Sequence, residues 1–494
     1  MSIGVVALVV VVTTTVGGCF AVTYTGADIS TVGKLDFTEE LAIPPLATGT
    51  TEPDGTRVFE LEMRQGRKEF QPGRLTNTWG FNGDYLGPTL RAHRGERVRV
   101  DIRNALPEAS TVHWHGMRLP AAMDGGPHQM VRAGAEWSPR WTVAQPAATL
   151  WYHPHPHGAT ESHVRRGLAG MFILDDSESE SLPLPHEYGV DDLPVIVQDV
   201  RFDGDELDGS HRIFRDTGFL GDRILVNGTL APYREVGDEL VRLRLLNAST
   251  ARVYDFGFGD DRAFTLIGSD GGLLEFPVTA DRQRLSPGER AEIVVRMRPG
   301  ERTIVRANTL DAGLDFWNQR FSGGDDSFDV LELRASTTLR PSPELPAALA
   351  SSSTPDGSDS VRERRFELSL AGINGRPMDM DRIDFSVTRG TAETWVVRNA
   401  DGMPHNFHVH DVRFRALTVN DAPPPPELAG PKDTIFVPPN TTVRLAMSFD
   451  GPADPNAPYM YHCHLLWHED QAMMGQFVVV EPGQSAGGPP HHGH

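Results

Sequence analysis

Three Asn-Gly pairs, Asn82-Gly83, Asn227-Gly228 and Asn374-Gly375, recur 145 and 147 residues apart, and each is followed by a short alternating stretch that closes on another asparagine. In the first copy Val98, Val100 and Ile102 occupy every second position between Glu96 and Arg103, ahead of Asn104. Val241, Leu243 and Leu245 repeat the pattern before Asn247, and Thr394 to Arg398 precedes Asn399. Strand side chains alternate between faces, so apolar residues at period two mark strands with one face against a core. Asn-Gly pairs supply the left-handed conformations that tight turns need. An interval of this size is that of one domain, so the chain reads as all-β, with three β-sandwiches in tandem. Further strands are expected at Met171 to Leu174, Glu292 to Met297, Val443 to Phe449 and Gln476 to Val480. The 49 glycines and 38 prolines suit many short strands joined by turns. On this division the three domains are residues 51–177, 178–338 and 362–482. Residues 20–50 and 339–361 are linkers, and 483–494 form a disordered tail.

The same asparagines serve as a ruler. Nine positions after Asn104 stands His113-Trp114-His115, and nine after Asn399 stands His408-Val409-His410. Nine after Asn247 the middle copy has Phe256-Gly257-Phe258, so the second domain keeps the frame without the donors and is expected to be a spacer. Later in the outer copies His153-Pro154-His155 parallels His462-Cys463-His464. Two histidines two positions apart on a strand turn both rings to one face, which gives each outer domain four imidazoles. If the outer domains pack together, the eight can enclose a copper cluster, and that interface is the expected oxygen site. A lone His-x-His is common on solvated strands; four such pairs in register beside a cysteine point to metal.

On one strand Cys463 projects opposite to His462 and His464, so that a single strand can touch two metal centres. A thiolate, two imidazoles and a thioether, such as Met473 ten residues after Cys463, are the donor set of a blue-copper electron-transfer site, the soft sulfur selecting copper, and His405 and His468 are further candidate metal ligands. Met473 has core packing as its alternative role. The chain therefore reads as a redox enzyme. His157 and His163 are read as neighbours of the ligands or as surface residues, and His93, His128, His186 and His211 carry no signal.

The formal charge is −21 and the basic residues form no run or stripe, which excludes nucleic acid as a partner and leaves neutral or cationic substrates acceptable. Only Cys19 and Cys463 exist, so no stabilising disulfide is expected. Residues 4–12 (GVVALVVVV) are too short to span a bilayer comfortably and resemble a secretory leader. Val16-Gly17-Gly18-Cys19 resembles a bacterial lipobox, in which the cysteine is lipidated and starts the mature chain. Residues 1–19 are accordingly read as a leader, and the protein as a membrane-attached lipoprotein outside the cytoplasm. A plain cleaved signal and an uncleaved anchor are the alternatives, since Met1-Ser2-Ile3 carries no Lys or Arg. The tail from Pro489 to His494 can feed metal or simply be disordered.

The segments HWHG (113–116), WYHPHPHG (151–158), HNFHVH (405–410) and HCHLLWHEDQAM (462–473) resemble the four copper motifs of the multicopper oxidases, a family that includes laccases, bilirubin oxidases and cuprous oxidases. The likeness spans about residues 55–482 and implies cupredoxin-like Greek-key domains holding four copper ions. It implies that His405, Cys463, His468 and Met473 bind the type 1 copper, and that His113 and His408 bind the type 2 copper. His115, His153, His155, His410, His462 and His464 would bind the type 3 pair. The implied reaction is four one-electron oxidations at the type 1 site, each electron passing through Cys463 to the cluster, where dioxygen becomes two waters. Asp124 matches a family acid that brings protons to the cluster, and Glu469 is a second candidate; a salt-bridge role is the alternative for each. Asp401 and Met403 resemble the acid and thioether that cuprous oxidases place over the type 1 copper. The long methionine-rich insert of enterobacterial cuprous oxidases is missing, however, from the short Pro/Ser/Ala-rich region 336–362. Cu⁺, Fe²⁺ and phenols or other aromatics all remain as reductants, and a monomer is expected. A copper buffer without turnover is the alternative from another class, and a two-repeat nitrite reductase is disfavoured by the third repeat.

Overall fold

In each repeat the first long strand lies parallel to the strand that ends in asparagine. Arg57–Gln71 pairs with Arg97–Asn104, Asp192–Val200 with Leu240–Asn247, and Ser360–Ser369 with Ala392–Asn399. These pairings belong to a computed structural model that describes residues 27–211, 216–351 and 355–488. The expected leader, the lipobox at Cys19 and the histidine tail lie outside the described residues. Each repeat closes as two facing sheets, giving three cupredoxin-like β-sandwiches.

The closing asparagines explain the repeat. All three are fully buried, and each carboxamide makes the same three bonds. Asn104 Nδ2 donates to Glu108 O and Val131 O while its Oδ1 accepts from Leu106 N. Asn247 does so with Arg252 O, Leu285 O and Ser249 N, and Asn399 with Met403 O, Val437 O and Asp401 N. One side chain thus satisfies the backbone where a strand leaves its sheet. It also aims the loop that leads, nine residues on, to the histidines.

The alternation holds in the first repeat, where Val98, Val100 and Ile102 are at most 1% exposed among polar neighbours that are not. In the second, Leu240–Asn247 is buried on both faces. Its polar face lies against the first domain, where Arg244 reaches Thr149 Oγ1 at 2.7 Å and Arg242 and Arg244 pair with Asp192 and Glu292. Residues read as a linker, 20–50, are from residue 27 a strap laid along two domains. Glu39–Glu40 pairs with Pro232–Tyr233 of the middle domain, and Leu46–Ala47 with Thr89–Leu90 of the first.

The donors expected on strands lie partly beyond them. The strand Asp454–His462 ends at His462, so Cys463 and His464 lie just beyond it. His155 likewise follows the strand Ala148–His153, where Pro154 has no N–H for the ladder, and His410 follows His405–Val409. The rings sit at strand ends because that is where the first and third sandwiches meet.

Candidate metal centre

Two groups of donors form, both buried. In the first, His405 Nδ1 lies 3.1 Å from His468 Nδ1, and Cys463 Sγ lies 3.8 and 3.5 Å from the two nitrogens. Asp401 holds the His405 ring by its far nitrogen, its carboxylate oxygens 3.1 and 3.2 Å from Nε2, so that Nδ1 turns inward. The backbone carbonyl of Asp216 does the same for His468 Nε2. Met473 is buried in the same cluster of side chains as Cys463, and its carbonyl accepts from Cys463 N. Asp401 also accepts from Met403 N and Leu370 N, which fixes the turn carrying Met403 at the half-buried rim of the group.

The second group fills the junction of the outer domains. Its eight imidazoles, His113, His115, His153, His155, His408, His410, His462 and His464, are each at most 1% exposed. His462 Nε2 is 3.1 Å from both His155 Nε2 and His410 Nε2, and His153 Nε2 is 3.4 Å from His464 Nε2. The His115 ring stacks on His408 at 3.8 Å and His113 on His410 at 4.0 Å, each pair joining one domain to the other. Three sets among the eight, His113 with His115 and His153, His113 with His408 and His410, and His155 with His410 and His462, keep their donor atoms within 4.8 Å of one another.

Three carboxylates stand behind the rings, and each spans one histidine from either domain. Asp124 Oδ2 lies 2.6 Å from His410 Nδ1, and its Oδ1 3.5 Å from His113 Nδ1. Glu469 lies 3.3 Å from His155 Nδ1 and 3.2 Å from His462 Nδ1. Asp433 Oδ1 lies 3.0 Å from His115 Nε2 and 3.6 Å from His408 Nδ1. All three acids are at most 2% exposed, so a surface salt bridge describes neither Asp124 nor Glu469.

The electrostatics suit a metal. Burial first, and then mostly the neighbouring rings, push His115, His408, His410, His153 and His464 well below the ordinary imidazole range, and His155 and His468 to about 3. Neutral imidazoles keep the lone pair that a metal needs. Burial pushes the Cys463 thiol up to about 12, so a metal has to displace its proton. Burial alone would raise Glu469; flanking His155 and His462 hold it far below the usual carboxylate range. His113 Nε2, His115 Nδ1 and His408 Nε2 are buried, turned into the junction and without a hydrogen-bond partner among the described residues. Such orphaned polar atoms are costly unless something binds them, and imidazole with thiolate is copper chemistry.

Sequence reasoning missed Asp433, Asn406 and the part played by the middle domain. Asn406 Oδ1 lies 3.5 Å from Cys463 Sγ and accepts from His464 N, while its amide donates to Ser286 Oγ and Pro287 O of the middle domain. The middle domain is thus more than a spacer. Asn406 lies inside the HNFHVH motif, which is its signal; Asp433 and Asp216 carry no local signal. His163 is a buried neighbour bonded to Ser110 and Glu108, and His157 is exposed.

Residues 62–179 and 342–483 each match a family profile described as multicopper oxidase. Multicopper oxidase mco of Staphylococcus haemolyticus is 34% identical over 447 residues, covering 89% of this chain and 92% of that protein. Cell division protein FtsP of Edwardsiella tarda is 38% identical over 457 residues, covering 90% and 93%. The crystal structure of a laccase from Pediococcus acidilactici superposes with a TM-score of 0.81 at 33% identity, covering 90% of this chain and 95% of that one.

Proposed function

This chain belongs to the multicopper oxidase family, and from that premise we propose that it is a working oxidase that couples one-electron oxidation of a small reductant to reduction of dioxygen to water. One observation carries the reading: eight buried imidazoles from two domains turn nitrogens into a common space, with carboxylates fixing their outer edges. His405, Cys463, His468 and Met473 would hold the type 1 copper, His113 and His408 the type 2 copper, and the other six histidines the type 3 pair. Bound copper supplies the electron transfer, four electrons per dioxygen, and the chain supplies the rest. Cys463 links the two centres through its neighbours His462 and His464, a covalent path two residues long. Asp124 Oδ1, buried and without a hydrogen-bond partner among the described residues, is the open acceptor where a proton can be held beside His113 and His410. Glu469, kept charged between His155 and His462, is the second proton carrier.

Electrons enter at the Asp401 to His405 edge. Asp401 and Met403 offer a carboxylate and a thioether to Cu⁺ at the half-buried rim. Exposed Leu370, whose N–H binds Asp401, lies beside them, and the short helix carrying exposed Phe316 and Trp317 approaches Gly402 through Asn318, which favours aromatic reductants as well. Oxygen uptake by the copper-loaded protein with Cu⁺, Fe²⁺ and a bulky phenol compared side by side tests the proposal. Uptake with at least one is expected; four bound coppers without uptake from any would leave a copper buffer. Met403→Ala should lower Cu⁺ oxidation and spare phenol oxidation, and equal loss of both would remove the thioether from Cu⁺ binding.

The relative named as a cell division protein suggests a second reading, a part in cell division without turnover. That role gives no reason to bury twelve soft and imidazole donors in two connected groups. We further propose that a lipidated Cys19 anchors the enzyme outside the cytoplasm; a mature chain whose mass shows an intact residue 1 would overturn this.

A further inference from the structure

The geometry points to Arg290, a residue of the ligand-free middle domain, as the positioning residue that locks the outer domains around the cluster. This inference rests on the oxidase reading above. Six of the eight junction imidazoles turn Nδ1 outward, toward backbone carbonyls or carboxylates, and His464 turns its Nδ1 toward Gly288 of the middle domain. His115 is reversed: its Nε2 faces Asp433 Oδ1 at 3.0 Å and Thr434 Oγ1 at 3.1 Å, leaving Nδ1 to the centre. With Nε2 donating its proton to a carboxylate, the lone pair is fixed on Nδ1. Asp433 therefore decides which nitrogen of His115 a metal meets.

Arg290 in turn decides where Asp433 stands. Its Nη1 and Nη2 grip the two carboxylate oxygens at 2.8 and 2.7 Å. Its other donors are also used: Nε binds Thr149 O of the first domain at 2.9 Å, Nη1 binds Gly288 O at 3.0 Å, and Nη2 binds Asp270 O at 2.8 Å. One guanidinium with all five N–H groups engaged thus ties a backbone of the first domain, two of the second and a carboxylate of the third. Arg290, Asp433 and Asp270 are fully buried. Thr434 extends the tie, with Oγ1 2.9 Å from Asp433 Oδ1 and 3.0 Å from His408 Nδ1. Gly288 lets this backbone come close, since a Cβ there would stand 3.1 Å from ring atoms of both His115 and His464.

The charges make the tie specific. Lys432 serves the other two buried acids, Asp270 at 3.0 Å and Glu289 at 3.1 Å. Without Arg290 the Asp433 carboxylate would have no cation of its own, and a buried carboxylate with no partner moves or takes a proton. Lysine in its place would keep the charge and lose the fork that holds both oxygens and Thr149 together.

The test compares the copper-loaded full chain with Arg290→Met and Arg290→Lys, measuring copper per chain, the thiolate-to-copper visible band, the EPR spectrum of the oxidised protein and the KM for dioxygen. Arg290→Met should keep the thiolate band, lose cluster copper and lower turnover about 10- to 100-fold, the cost typical of residues behind metal ligands. Arg290→Lys should keep more copper, alter the EPR signal of the cluster and raise the KM for dioxygen while leaving that for the reductant unchanged. If Arg290→Met does not fold by circular dichroism, Arg290→Lys decides alone. Wild-type copper content, EPR spectrum and dioxygen KM in Arg290→Lys, or in a folded Arg290→Met, would overturn the inference and leave the oxidase reading intact. A wild-type chain that holds a single copper would overturn both.

Discussion

The outer and middle domains share one frame and fill it differently. Nine residues past the buried asparagine, the outer domains place His113 and His115, or His408 and His410, at the junction; the middle domain places Phe256 and Phe258 in its own core. The phenyl rings make that sandwich self-sufficient. The imidazoles leave theirs incomplete, with polar atoms that only the opposite domain and a metal can satisfy. The middle domain nevertheless governs the site from behind, since Asp216 orients His468, Ser286 and Pro287 hold Asn406 beneath Cys463, and Arg290 grips Asp433. A repeat can thus lose every donor and still decide where the donors of its sisters stand.

Changes ordered by their expected effect on the metal centre can break or sharpen this contrast. Cys463→Ser removes the thiolate that joins the two donor groups and should abolish the thiolate band and reduce turnover to background; turnover persisting with the band absent would contradict that role at once. Asp124→Asn keeps the shape of a side chain that spans both outer domains, and should cost about 10- to 100-fold in turnover at unchanged copper content. Full turnover would remove Asp124 from proton delivery. A third test uses pH on the copper-free chain. The unfolded chain protonates His155 and His468 near the ordinary 6.5, while the folded chain refuses those protons until about 3. The unfolded state therefore binds more protons between these values, and stability is present above about 6.5 and lost as pH falls below it. The melting temperature of the copper-free protein should drop between about pH 7.5 and pH 5, and a flat profile would contradict the buried neutral rings. Phe256→Ala, at the bottom of the order, should cost about 3–5 kcal/mol of stability and leave turnover per folded molecule unchanged. A change in the thiolate band there would mean that the middle core also shapes the site.

What could be read directly from the residues follows from locality. Alternation at period two located Arg97–Asn104 because that strand needs only its own neighbours to declare a face, whereas Ala392–Asn399, buried along most of its length, was located by its closing asparagine in the repeat frame. The histidine pairs were legible because their register repeats, and Cys463 because a lone cysteine between two histidines has few other uses. The rest depends on contacts far apart in the chain. Asp433 meets His115 across 318 residues and Arg290 across 143, with no period to announce either. The two-sided burial of Leu240–Asn247 and the strap at residues 39–47 likewise arise only once domains pack. Strand ends escaped for a related reason, since Cys463 leaves its strand where the third domain turns toward the first.

Anomalous diffraction at the copper edge, from crystals of the copper-loaded protein, shows whether the two outer domains share one metal cluster wired through Cys463 to a separate copper. Four peaks are expected, three enclosed by the eight histidines between the first and third domains and one beside Cys463. A lone peak at Cys463, or none between the outer domains, would contradict that arrangement.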